Sequence, residues 1–150
     1  MGSRVPEVIE RLVQLGTADQ GLLDVRVSDG PEVTGDTAPD WLIVGFDGDP
    51  GGDFQAAQTV GGWADLGTGR EEEWQVTVAA IAQRGDTDVP AARRRAYEIA
   101  AHVETWLRTD PGLGLRSVEA AIVATQLMQD QTTQGAQATL LLTVAGRAFT

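Results

Sequence analysis

Apolar positions recur at two different periods along this chain. Val5, Val8, Ile9, Leu12, Val13 and Leu15 fall at spacings of three and four, the stripe of an amphipathic helix. Ser3 is placed to cap it, Pro6 suits its first turn and Gly16 reads as its stop. From Leu22 to Val27 the period drops to two, with Leu23, Val25 and Val27 set against Asp24 and Arg26, which predicts a strand. Residues 28–40, rich in Asp, Gly, Pro and Thr, read as a loop. The compact run Trp41-Leu-Ile-Val-Gly-Phe46 has strand length and predicts burial on both faces. Asp47-Gly-Asp-Pro-Gly-Gly-Asp53 follows as a turn expected to project from the fold.

Further along, Ala57 to Trp63 and Glu72 to Arg84 are strand candidates. In the second, Trp74, Val76, Val78, Ala80 and Ala82 share one face, with Gln75, Thr77 and Ile81 on the other. Its length predicts a strand that bends or serves two partners. The strongest helix runs from Pro90 to Arg108, capped by Asp88 and carrying Ala92, Ala96, Ile99, Ala100, Val103, Trp106 and Leu107 on one side. Two long strands, Leu115 to Gln129 and Gln134 to Phe149, close the chain around a polar turn at Asp130 to Gly135. There are too few crossover helices for a parallel sheet. The expected architecture is α+β: one mixed, largely antiparallel sheet in a single domain over residues 1–150, with an N-terminal helix and one long helix packed on it.

Composition narrows the chemistry. At 150 residues the chain is long enough for its own core, and 42% hydrophobic with 22% charged residues is an ordinary globular balance. There is no cysteine, which excludes a disulfide framework, a thiolate nucleophile and a cysteine-ligated metal. Every one of the 11 cations is arginine, so Schiff-base chemistry and a Walker-type lysine are excluded too. A single histidine, His102, rules out a multi-histidine metal site within one chain. The net charge of −11 opposes non-specific attraction to nucleic acid or anionic membranes. No apolar run has the length of a transmembrane helix, and the N-terminus lacks the apolar stretch of a secretory signal.

The remaining candidates each have a plain structural explanation. Asp47, Asp49 and Asp53 place oxygen ligands at alternate positions, as calcium loops do, but Gln58 stands where a bidentate Glu is needed. The surrounding Gly48, Pro50, Gly51 and Gly52 suffice for a surface turn. His102 sits one residue off the helical stripe with Glu98 at i−4, and no nucleophile motif accompanies it. Asp86 and Asp88 read as turn and cap residues. Arg93, Arg94 and Arg95 span about 200° of helical arc and cannot all face one partner. Their proximity to a helix N-terminus is unfavourable and suggests an acidic partner, with Glu71, Glu72 and Glu73 of a neighbouring subunit as the complement. No catalytic, cofactor or metal constellation emerges.

One succession of segments carries a resemblance. Trp41-Leu-Ile-Val-Gly-Phe-Asp-Gly-Asp-Pro precedes Trp63-Ala-Asp-Leu-Gly and Glu71-Glu-Glu-Trp-Gln-Val. Gly85-Asp-Thr-Asp-Val, the Arg93–Arg95 helix, Asp110-Pro-Gly-Leu-Gly and a closing Gln-rich hairpin ending Leu142-Thr-Val-Ala-Gly-Arg-Ala-Phe149 complete it. Over residues 5–149 this order resembles the tail terminator (tail-completion, neck) proteins of long-tailed actinobacterial phages, with the non-contractile siphovirus type favoured. The resemblance implies a non-enzymatic virion protein, made in the host cytoplasm, whose fold is a sheet flanked by helices. It implies a hexameric homo-oligomer that ends tail-tube polymerisation, contacts the tube protein and a head-closure or connector protein, and lets DNA pass without specific binding. No cofactor and no membrane are implied. A head-closure protein is the nearest alternative, a small acidic α+β enzyme or ligand-binding domain a remoter one, and an acidic DNA mimic weaker still.

Overall fold

A computed structural model describes residues 2–31, 38–49, 51–52, 55–61, 70–133 and 135–149. The elements, in order, are α1 (Val5–Ala18), a 3-10 turn (Gln20–Leu22), β1 (Arg26–Asp29), β2 (Asp40–Val44), β3 (Ala57–Gly61), β4 (Glu71–Arg84), α2 (Val89–Thr109), β5 (Val118–Thr132) and β6 (Gly135–Phe149). The fold is α+β, as the alternation of periods predicts.

The sheet is built around β4, whose fourteen residues pair along their whole length with β6. On its other edge β4 pairs with β3 through Glu72–Val76 and with β2 through Val78–Ala82. The length of the pattern predicts a strand that bends or serves two partners, and β4 serves three. The sheet order is β1-β2-β4-β6-β5, with β3 beside β4, and all pairings are antiparallel except β1 with β2.

Both helices pack on one face. Leu42, Val44, Trp74, Val76, Val78, Ala80, Ala82, Ala138, Leu140, Leu142 and Val144 bury there against Val8 and Leu12 of α1 and Ala92, Ala96, Ile99, Val103 and Leu107 of α2. Alternation along each strand dictates this set, because period two sends every second side chain to the same side. Each large side chain withdrawn here contributes about 1.5–3 kcal/mol. Trp74 fits because its rung partner on β6 is Gly146, where a Cβ would strike the Glu119 carbonyl and the indole.

Several boundaries differ from the pattern. The strand read at Leu22 to Val27 begins only at Arg26, since Leu22 is taken into the 3-10 turn and buried while Leu23 is exposed. Strand β5 starts at Val118 and reaches Thr132, so Asp130 and Gln131 are strand residues and the connection lies between Thr132 and Gly135. A bulge at Val123 separates the Ile122–Val144 and Ala124–Thr143 rungs, and it inverts which β5 residues face the helices. Helix α1 continues past Gly16. That glycine is buried, and a Cβ there would strike Val27 and crowd Trp106, so it permits close packing and does not end the helix. The N-cap position is held by Arg4, while Ser3 Oγ accepts the Val5 amide at 3.1 Å. Asp88 caps α2 by accepting from Ala91 N at 3.0 Å.

Candidate functional site

Among the described residues, the opposite face of the sheet carries no helix. At one end, Ile43, Phe46, Ala79 and Ile81 form a second small cluster, flanked by Trp41 and Leu141. The segment after β2 covers it. Gly48, with φ of 82°, lies so close to the sheet that a Cβ would meet Ile81 at 2.9 Å. The first half of the acidic turn therefore folds back over the sheet and does not project, because Phe46 is drawn into the cluster. Asp47 and Asp49 spend carboxylate oxygens on the turn, accepting the Asp49 and Gly51 amides at 2.9 Å each. Asp53 lies outside the described residues. Among the described residues no group of three or more His, Asp or Glu is placed to hold a metal ion.

Toward the other end the open face turns polar. Rungs across four strands read Val60–Glu73–Arg147–Glu119 and Gln58–Gln75–Ala145–Ala121. Arg147 lies 3.4 Å from Glu119 and 3.6 Å from Glu71, and Glu73 stands beside it in register. A shallow depression of about 290 Å³ runs between Val60 and Val123 over these rungs. Val60 and Val123, both exposed, line it.

The charge clusters proposed as complements are largely occupied within the chain. Strand alternation splits the acidic run: Glu71 and Glu73 lie on the open face, while Glu72 is buried on the helix face and accepts the Arg4 amide at 3.0 Å. The arginine run is split by helical geometry. Arg95 reaches Asp40 at 3.0 Å, Asp24 at 2.8 Å and Glu98 at 3.2 Å. Asp40, 4% exposed, is also held by Arg84 at 2.8 Å. Burial disfavours charge on Arg95, yet its bonds to Asp40 and Glu98 outweigh that and hold its pKa above the usual arginine value. Arg93 donates to Gln129 on β5 at 2.9 Å, and Arg94 is exposed. Arg95 and Glu72 are thus withdrawn from a role between subunits; Glu73 and Arg94 remain on the surface.

His102 has a partner that sequence spacing did not reveal. Its Nδ1 lies 2.9 Å from Asp19 Oδ2, and Trp106 Nε1, one turn later on α2, donates to the same oxygen at 2.8 Å. The other oxygen accepts the Gly21 amide at 2.8 Å. Gly16 and Gly21 make room, since a Cβ at Gly21 would collide with the His102 ring. Burial raises the Asp19 pKa, but these bonds and the nearby imidazole outweigh it and hold the carboxyl below its ordinary range. An ionised carboxylate only accepts, so the imidazole donates through Nδ1. The adjacent Thr105 hydroxyl is spent on the Ala101 carbonyl at 2.9 Å. The arrangement is a latch between α1 and α2. A glycine pair around an aspartate, with His and Trp at i and i+4 elsewhere, was the available signal.

With this geometry in view, the comparisons bear on the whole fold. The sequence matches no protein-family model and no curated protein. Among solved structures, the fold is that of a chain in the virion of a native gene transfer agent particle. The TM-score is 0.62, 95% of each chain is covered and 10% of residues are identical. No described helix is long and apolar enough to cross a membrane.

Proposed function

We propose that this chain is a structural virion protein that forms a ring at the head-proximal end of a phage tail tube. There it ends tube polymerisation and presents the surface to which a filled head joins. The observation that carries the reading is the likeness of fold to a virion chain over 95% of both molecules. The order of segments along the sequence supports the same role. The ring is hexameric, with the tube protein on one side and a head-closure or connector protein on the other. At −11 per copy, repulsion keeps passing DNA from adhering to the lumen.

The turn at 47–53 and the β5–β6 connection are the proposed contacts with tube or connector, since loops held on a rigid sheet commonly carry binding. Replacing Asp47, Asp49 and Asp53 together with Ser is expected to leave the far-UV spectrum unchanged and to lower head attachment. Normal assembly of that variant would remove the turn from the interface. The function itself is tested by negative-stain microscopy of lysates from a phage lacking the gene. Overlong tubes without heads are expected. Tails of normal length beside separate filled heads would move the chain to head closure, and intact particles would end the structural reading.

A further inference from the structure

Strand β5 changes character at its bulge. Before it the outer edge is occupied, since Ala120 N donates to the Pro111 carbonyl at 2.8 Å and Gly112 packs on the Val118 carbonyl. Past it, residues 124–126 and 128–131 are exposed and Leu127 is half-buried. On β6 beside them, Ala136, Ala138, Leu140 and Leu142 are buried in the core. Among the described residues no strand lies beyond β5, and no backbone group of Thr125–Gln131 bonds to backbone outside the β5–β6 pairing. A free row of N–H and C=O groups is a template for another strand, and natural sheets guard such rows with charge, proline or cover. Thr125–Gln131 has no proline and a single charge, Asp130.

The other edges restrict what can meet it. β1, at the far margin, is four residues long and carries Arg26 and Asp29, the protection expected of an edge left free. β3 stands level with the occupied half of β5 through the Gln58–Gln75–Ala145–Ala121 rung. A copy set alongside with its rungs in step therefore brings β3 against Pro111 and Gly112 and not against the open half. A copy related by a two-fold axis perpendicular to the sheet meets no such obstacle. With the axis at Met128, the midpoint of Thr125–Gln131, the two β5 strands run antiparallel. Ala120, where Pro111 covers the edge, lies eight positions from Met128, while the strand ends four positions from it at Thr132. The cover of each copy thus falls beyond the end of the other's hairpin.

We infer that Thr125–Gln131 of two copies pair antiparallel about this axis, extending one sheet into the other. Met128, 40% exposed, then meets Met128 of the second copy. Leu127 stands opposite Gln129 and diagonal to the second Leu127, within reach of a long side chain. Asp130 stands opposite Gln126, whose amide donates to a carboxylate. The two Asp130 side chains stay four rungs apart along the strands, roughly 14 Å. Two chains of charge −11 thereby meet along a stretch where no acid faces another. The contact is separate from those of a ring, because an isologous pairing is complete at two copies. It covers the open edge of the free chain.

With no native cysteine the test is direct. Met128→Cys sets two thiols opposite each other across the axis, with Cβ atoms roughly 4.5–5.5 Å apart, close to disulfide range. Oxidised and run without reductant, this variant is expected to give a covalent dimer, while Gln58→Cys, also a single exposed strand position, stays monomeric. No dimer from Met128→Cys, or an equal yield from Gln58→Cys, would overturn the inference. Met128→Glu sets two carboxylates face to face. With an unchanged far-UV spectrum it is expected to weaken dimerisation about tenfold by sedimentation; unaltered association would count against the pairing. Rings visible by mass photometry with no cross-link at position 128 would overturn the pairing and leave the ring reading standing.

Discussion

Gly146 shows how much one missing side chain can decide. It sits opposite Trp74 on the helix face, where a Cβ would be driven into the Glu119 carbonyl as well as the indole. A backbone carbonyl cannot swing aside as a side chain can, so Gly146→Val is expected to destabilise by about 1–3 kcal/mol, read as a lower urea midpoint with unchanged slope. Glu72 and Asp40 are the matching polar cases. Both are buried acids at strand ends, and each is matched to a specific donor. Removing Asp40 leaves Arg84 and Arg95 without their shared carboxylate. Because both arginines keep some contact with water, Asp40→Ala is expected to cost about 2–3 kcal/mol, at or below the range for a fully buried pair. Equilibrium unfolding of that variant is the check. None of these partners could be read from the chain, since each joins residues far apart in sequence.

At the scale of elements, what was legible followed local periodicity. The faces of β4, the stripe of α2 and the service of β4 to more than one partner all come from spacing and length within one segment. Boundaries set by tertiary packing were not legible. Phe46 pulls the acidic turn onto the sheet, the α1–α2 latch needs Gly16 as a spacer, and the bulge at Val123 flips a register that alternation alone would continue. The latch has a pH dependence whose sign follows from Asp19. Its folded pKa lies below the unfolded one, so its contribution is complete above the ordinary carboxylate value near about 4 and is lost as pH falls through the folded value. The urea midpoint of the native chain should therefore fall more between pH 5 and 3, on the order of this window, than that of Asp19→Asn. Equal slopes would detach the latch from acid stability.

For the whole molecule, the acidic excess sets how copies meet. Each carries −11, so long-range forces between copies are repulsive. Salt screens that repulsion and leaves short-range apolar contact untouched. Self-association measured by sedimentation is expected to strengthen from about 0.01 M to 0.15 M ionic strength, where the screening length falls from roughly 30 to 8 Å. Weakening over that range would mean that ion pairs, such as Arg94 with Glu73, dominate the contact instead.

The pairing of β4 with β6 also fixes an order of events during synthesis. Arg84 with Ala136, the nearest of these pairs in sequence, already spans the whole of α2 and β5. A chain emerging from the ribosome has therefore made β4, with its apolar face and one unpaired flank, long before its permanent neighbour exists. Loop closure over such a span is slow relative to local helix formation. Until β6 emerges, the nascent chain presents the strand that later becomes its most protected, and nonsense mutations in the first half of β6 should yield aggregates and not shortened, functional protein.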